Sequence, residues 1–299
     1  MIWLPATLFG GLFQAWRTAV QQRVRAELSV NAAGLVRYLY GFPAGCVMLA
    51  LYLILRHDAV PDHGVGFWAN AAIGGLAQIV ATNLLIMAFG FRNYVVGTAY
   101  AKTEAVQGAV LAMILLGEHL SFLTWIGIGV GVAGVLVLSA GGQRLRLAQI
   151  VQPAALCGLG AGFLFALTSV FIKRATLSIE TPDKVLAALT TLVAVLALQT
   201  LMQGAYVMIR ERDQLVRIFT SWRISGQVGL LAAMGSACWF TGFATAPVAL
   251  VRAVGQVEVI FTLGFGHYYL REPLARSEVI GLLTVGAGVV LALAGSFLA

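Results

Sequence analysis

Six charged side chains stand inside long apolar runs of this chain: the acids Glu104 and Glu258 and the cations Arg17, Arg37, Lys102 and Arg252. A charge in hydrocarbon is costly enough that each counts as a functional-site hypothesis by default. Removal from water disfavours the charged form of a carboxylate and fits it to exchange protons, and a carboxylate that stays charged can hold an ammonium group. Glu104 and Glu258 are therefore the candidates for proton coupling, while Lys102 and Arg252 suit a carboxylate or phosphate. Lys102 and Glu104 are two residues apart, so they cannot share a helix face and each needs its own partner. Arg252 and Gln256 are four apart and share one, which aims both at a common space. With Gln14, Arg17, Gln78, Asn83 and Gln107 they are expected to line a polar cavity richer in cations than in anions. Such a lining suits a small zwitterion or organic anion better than a lipophilic cation. The competing reading makes the acids structural counter-ions of the four cations. Arg17 and Arg37, nearer their helix ends, also fit snorkelling to the membrane interface.

The elements that position these residues occur twice. Shifted by 154 positions without a gap, Tyr94 to Gly141 falls on Val248 to Gly295. Glu104 lands on Glu258, Glu118 on Glu272, Gly127 on Gly281, Gly134 on Gly288 and Gly141 on Gly295. At an offset of 150 the start of the chain joins in, Gly10 on Gly160 and Thr18 on Thr168. Residues 1–141 and 153–299 are thus expected to be two copies of one unit. At 1.5 Å per residue Glu104 lies about 15 Å into its run and Glu258 slightly deeper, both near the membrane midplane. The repeat is expected to bring the two acids toward each other across a pseudo-two-fold axis.

Sixty per cent apolar residues, ten per cent charged and a mean hydropathy of +0.90 place the chain in a membrane. Ten runs approach the roughly 20 residues that a hydrocarbon core about 30 Å thick requires. They lie near 2–21, 31–55, 66–90, 94–116, 121–140, 153–173, 184–209, 225–245, 247–270 and 277–298. None alternates as a barrel strand must, so the fold is expected to be all-helical. No small-residue cleavage site follows the first run, which is expected to remain. Five helices per copy is an odd number, so the second copy enters from the opposite side, the inverted-repeat plan of many secondary transporters.

Other chemistry is excluded or muted. No GxxxxGK[ST] provides for ATP, and no HExxH, Ser/His or paired-Asp constellation suggests an intramembrane enzyme. Cys46, Cys157 and Cys238 sit in apolar runs without metal-ligand spacing, and neither a metal nor another cofactor is expected. His57, Asp58, Asp62 and His63 read as a solvated turn. Arg210 to Arg223 is the longest connection. The formal charge of +7 sits mostly in short loops, where it points to lipid headgroups as partners and not to nucleic acid. Loops 1-2, 3-4, 5-6, 7-8 and 9-10 hold eleven Arg against four Arg and Lys in the others, which puts the first set in the cytoplasm and both termini outside. Trp239, Tyr100 and Phe240 lie deep enough for an aromatic wall or for core packing, and His267 suits a polar helix contact. The Gly-rich fifth and tenth runs read as a scaffold or dimer surface, which leaves a homodimer as a candidate assembly.

The run that closes with LLGEHL before a Gly-rich helix, repeated as YLREPL before another, resembles the EamA-type branch of the drug/metabolite transporter superfamily. The resemblance covers the whole chain. It implies a multi-pass bacterial inner-membrane exporter of small metabolites such as amino acids, with the substrate site between the helices of the two halves. It also implies cytoplasmic termini, opposite to the arginine count. Relatives that carry multidrug substrates use a Glu in their first helix, where this chain has Arg17. A proton-coupled exporter of lipophilic cations and a lipid scramblase stand as the alternatives.

Overall fold

The computed structural model describes residues 2–25, 28–91, 100–139, 152–270 and 276–297. Among them every regular element is helical. In chain order these are α1 Trp3–Arg25, α2 Val30–Leu39, α3 Gly41–Arg56, α4 Val65–Gly90, α5 Glu104–Leu116, α6 Phe122–Ser139 and α7 Pro153–Leu177. There follow α8 Lys184–Arg210, α9 Arg212–Thr220, α10 Trp222–Thr245, α11 Val248–Gly255, α12 Glu258–Leu270 and α13 Arg276–Phe297. Among the described residues, six stretches are long and apolar enough to cross a membrane: Val30–Arg56, Val65–Ala88, Pro153–Leu177, Lys184–Arg210, Trp222–Thr245 and Val279–Phe297. Glu104–Leu116 and Phe122–Leu138 are shorter apolar helices.

Each of the ten apolar runs contains a helix or a pair of helices, and the departures are informative. The run 247–270 is two helices, α11 and α12, separated by a turn at Gln256 and Val257. The run that ends at 116 has the same turn at Lys102 and Thr103, directly before α5. The connection from Arg210 to Arg223 is largely the short helix α9.

Packing resolves two compact units, Met1–Ile79 with Phe171–Thr245, and Val80–Val170 with Ala246–Ala299. Each draws on both halves of the sequence. In the first unit, α1 lies along α10, where Gly10 meets Trp239 and Gly235 meets Phe13. Gln199 on α8 donates to Gln78 Oε1 at 2.8 Å and to the Gly75 carbonyl at 3.1 Å, bonds that lipid could not supply. Asp183 caps α8 by accepting from the amides of Val185 and Leu186, and it also accepts from the Tyr52 hydroxyl at 2.7 Å.

In the second unit α6 and α13 run antiparallel in backbone contact. A Cβ at Gly134 would meet Val285 N at 2.6 Å, one at Gly281 would meet Leu138 Cβ at 2.8 Å, and Gly127 faces Ala292. The repeat converts Gly127 against Ala292 into Gly281 against Leu138, so the contact is symmetric under the sequence relation. An antiparallel pair of repeat-equivalent helices is what inverted copies require. The glycine stripe is used inside the chain, and Phe122, Leu283 and Val290 point outward from the same pair.

The LLGEHL turn has a local cause. Gly117 ends α5 in the left-handed region at φ 67°, and the Glu118 amide returns to the Ala112 carbonyl at 3.3 Å. The Glu118 carboxylate then accepts from the Val248 amide at 2.9 Å, satisfying a free N–H at the start of α11. Its counterpart Glu272 lies outside the described residues, as does the side chain of His267.

Candidate functional site

Four of the six membrane charges meet in the second unit as two crossed ion pairs. Arg252 Nη1 lies 3.2 Å from Glu104 Oε1, and Lys102 Nζ lies 3.2 Å from Glu258 Oε2. Each acid is therefore matched by a cation from the other sequence half. Lys102 and Glu104, neighbours in sequence, do part to separate partners. The repeat does not relate the cations: Lys102 corresponds to Gln256, and Arg252 to Thr98.

Arg252 is the more deeply held cation. Its side chain is 9% exposed against 26% for Lys102. Its Nε and Nη2 donate to Ser169 Oγ at 2.8 and 2.5 Å, and Nη2 also donates to the Phe165 carbonyl at 3.2 Å. A planar guanidinium can serve a hydroxyl, a carbonyl and a carboxylate together where an ammonium could not. Ser169 and Phe165 on α7 are the partners that sequence reading missed. A serine within an apolar helix carries no sign of which way it faces.

Both acids begin a helix, Glu104 the first residue of α5 and Glu258 of α12. A carboxylate in a first helical turn faces the positive end of the peptide dipoles. The turns before them are tightened to three-residue hydrogen bonds, Thr103 N to Tyr100 O at 3.1 Å and Val257 N to Val254 O at 3.1 Å. At the first turn the Thr103 hydroxyl also donates to the Tyr100 carbonyl at 2.6 Å, and Gln107 donates to that hydroxyl at 2.8 Å. Such tight stretches inside a longer helix are recurrent hinge points.

The remaining candidates divide. Gln256 does not share the Arg252 space: it packs against Gly131 of α6, with Oε1 buried and unpartnered. Its place in the tight turn rotates it away from the α-helical position that four-residue spacing implies. Asn83 is half-buried on α4 in the same unit. Gln14, Arg17 and Gln78 belong to the first unit, where Gln78 is bound to Gln199. Arg17 and Arg37 are 9% and 5% exposed, so both are buried and neither snorkels; the Arg37 guanidinium lies 5.6 Å from the Tyr38 ring centre. Trp239 stacks on Phe243 at 6.0 Å as core packing. His63 packs on Phe67 and Trp68.

The profile of the EamA-like transporter family matches residues 1–140 and 152–294. The chain belongs to the EamA-like transporter family. Over 304 aligned residues it is 26% identical to an uncharacterized inner membrane transporter, YedA, of Escherichia coli K12, covering 97% of this chain and 92% of YedA. The same protein in the O6:H1 and O157:H7 strains gives equal figures. A solved crystal structure covers 98% of this chain and 98% of its own, with a TM-score of 0.72 at 17% identity, and shows the fold to be shared. This EamA-like chain is a multi-pass inner-membrane protein of a transporter family. The crossed ion pairs and the paired helix breaks are thus features of a transporter scaffold.

Proposed function

We propose that the chain is a secondary active exporter of a small zwitterionic or anionic metabolite, such as an amino acid, working by alternating access with proton coupling. The observation that carries this reading is Arg252. It is a buried guanidinium fixed on one side by Ser169 and Phe165, with Nη1 given to a carboxylate at a helix break. A substrate carboxylate can replace Glu104 on that donor without disturbing the other bonds. The released Glu104, now without its cation, is the proposed site of proton uptake. Anion and proton then cross together, so in this scheme export runs on the outward gradient of the metabolite itself. Lys102 and Glu258 form a second and more exposed pair, which can serve a substrate ammonium or a second proton.

Export of lipophilic cations needs a carboxylate available to the ligand. Here both acids are neutralised by resident cations, which favours the anionic or zwitterionic substrate.

The first test is thermal stabilisation of the purified chain by amino acids, organic acids, sugar phosphates and quaternary ammonium compounds. A ligand at 100 times its Kd adds about 2.7 kcal/mol. The expected result is stabilisation by a zwitterion or anion that disappears in Arg252→Ala. Stabilisation by lipophilic cations alone, lost in Glu104→Gln, would overturn the reading. The coupling role has its own test: Glu104→Gln with Glu258→Gln abolishes pH-driven transport in a folded protein, and unchanged pH dependence would remove both acids from it.

A further inference from the structure

The helix α9 has no part in the transport reading, and its surface is unusual. It is nine residues long and joins two spans, α8 and α10, with a single residue at either end, Glu211 and Ser221. Both its ends are therefore held at the same membrane surface. At 1.5 Å per residue the 27 residues of α8 span about 40 Å, more than the roughly 30 Å of hydrocarbon. The end of α8 and all of α9 thus belong to the headgroup layer.

One face of α9 is pinned to its own unit. The Glu211 carboxylate, just before it, accepts from the hydroxyl of Ser29 and from Asn31 Nδ2 at 2.7 Å. Gln214 Oε1 accepts from the Ser29 amide at 3.1 Å, the Tyr40 hydroxyl donates to the Ile218 carbonyl at 3.1 Å, and the Ile218 side chain is fully buried. The outward side carries the opposite pattern. Val216 is 67% exposed, and Phe219 and Trp222 are each 59% exposed. Val216 and Phe219, three residues apart, fall on one face. Arg210, Arg212, Arg217 and Arg223 are all exposed around them, and the Arg223 guanidinium lies 5.6 Å from the Trp222 ring centre.

Aromatic and branched side chains bordered by arginines match the boundary between acyl chains and anionic headgroups. An amphipathic helix lying there buries its apolar face about 5–10 Å into the headgroup and acyl boundary. The guanidinium fork pairs with a phosphate diester in a way that a choline headgroup would oppose. From these contacts we infer that α9 is an in-plane anchor that docks on anionic phospholipids. Val216, Phe219 and Trp222 sink into the boundary, and Arg210, Arg212 and Arg223 bind the phosphates. Each arginine contributes roughly a five-fold preference for an anionic surface.

The test places the full chain in nanodiscs of phosphatidylcholine, with and without phosphatidylglycerol, and compares melting temperatures. The expected result is a higher midpoint with phosphatidylglycerol. The difference should collapse near 1 M salt, where the screening length is about 3 Å, and vanish in the R210Q/R212Q/R223Q variant. Equal midpoints in the two discs, a difference indifferent to salt, or one retained in the variant would each overturn the assignment. If the triple variant does not fold, the salt titration of the unmodified chain decides alone. A chain that dimerises in phosphatidylcholine discs and becomes monomeric on Phe219→Ser would overturn it too, by making this face a protein contact.

Discussion

Arg252 illustrates how one side chain carries both structure and chemistry. Removing one member of a buried pair leaves the other charge unpaired, and the cost is typically about 3–5 kcal/mol. Arg252→Ala should therefore lower the melting temperature strongly and abolish ligand stabilisation. Arg252→Lys should rescue little of either, because one ammonium cannot reach Ser169 Oγ, the Phe165 carbonyl and Glu104 together. Lys102→Ala, at a more exposed pair, should cost clearly less, and melting curves of the three variants give the order. At the far end of α3, Asp183 allows a pH prediction. Burial pushes its carboxyl upward, but the Tyr52 hydroxyl, the amides of Leu186 and Val185 and the nearby Arg56 outweigh that and hold it below the usual carboxylate range. A lowered folded-state value means that the stabilisation is complete above the unfolded value of about 3.9 and is lost as pH falls through the folded one. Asp183→Asn keeps the cap acceptor but loses the charge, so it should be less stable than the parent at neutral pH and draw level with it as pH falls and the parent's carboxyl is protonated. Asp183→Ala loses the cap, worth about 1 kcal/mol at any pH above that range. Denaturation midpoints measured from pH 3 to 7 separate the two.

At the scale of elements, α6 and α13 make the sharpest claim, since their contact is backbone on backbone. Gly134→Ala forces a Cβ to within 2.6 Å of Val285 N and should cost about 1–3 kcal/mol, with Gly288→Ala similar. Gly129 and Gly286 lie on the same helices with nothing within 4 Å of an added Cβ, so their alanine variants should be neutral or slightly stabilising. Equal losses at all four positions would remove close approach as the role of the stripe. Much of this was legible before the structure. The glycines stand in register at the repeat offset, and the apolar runs give the helices because a bilayer imposes both length and composition. The breaks before Glu104 and Glu258 were not legible. Lys102-Thr103 and Gln256-Val257 contain neither Pro nor Gly, and at the first of them the tight turn is supported by the bonds of Thr103 and Gln107 to their own helix. Helix α9 is not legible in hydropathy because nine residues are too few to stand out, although Leu215, Ile218 and Phe219 have helical spacing. That Glu104 needs a cation was legible from its place in an apolar run, but which of Lys102, Arg252, Arg17 and Arg37 it takes was not. Nor was the bond between Gln78 and Gln199, since an amide announces no partner by charge.

For the whole molecule the decisive property is inversion, since the proposed alternating access rests on two copies that face opposite ways. The antiparallel contact of α6 with α13 is the local sign of it. The consequence can be read at the membrane surface without a substrate. Asp62 and Asp213 lie in the connections after the second and seventh spans, which the repeat makes equivalent, and both are exposed. Five crossings separate them, so a membrane-impermeant thiol reagent should label Asp62→Cys from one side and Asp213→Cys from the other, in a background with Cys46, Cys157 and Cys238 replaced. Labelling of both from the same side would require an even number of crossings and break the inverted plan. The result also orients the chain. The arginine count assigns the Asp213 side to the cytoplasm, whereas the family resemblance assigns it to the opposite face. Modification of Asp213→Cys in intact cells would follow the family, and its protection until the cells are opened would follow the arginines. The arginines of α9 bear on that outcome: if they are occupied by phosphates of the adjacent leaflet, they act as an anchor as well as an orientation signal, and the charge count loses part of its weight. Removing Arg210, Arg212 and Arg223 should then leave the labelling side unchanged.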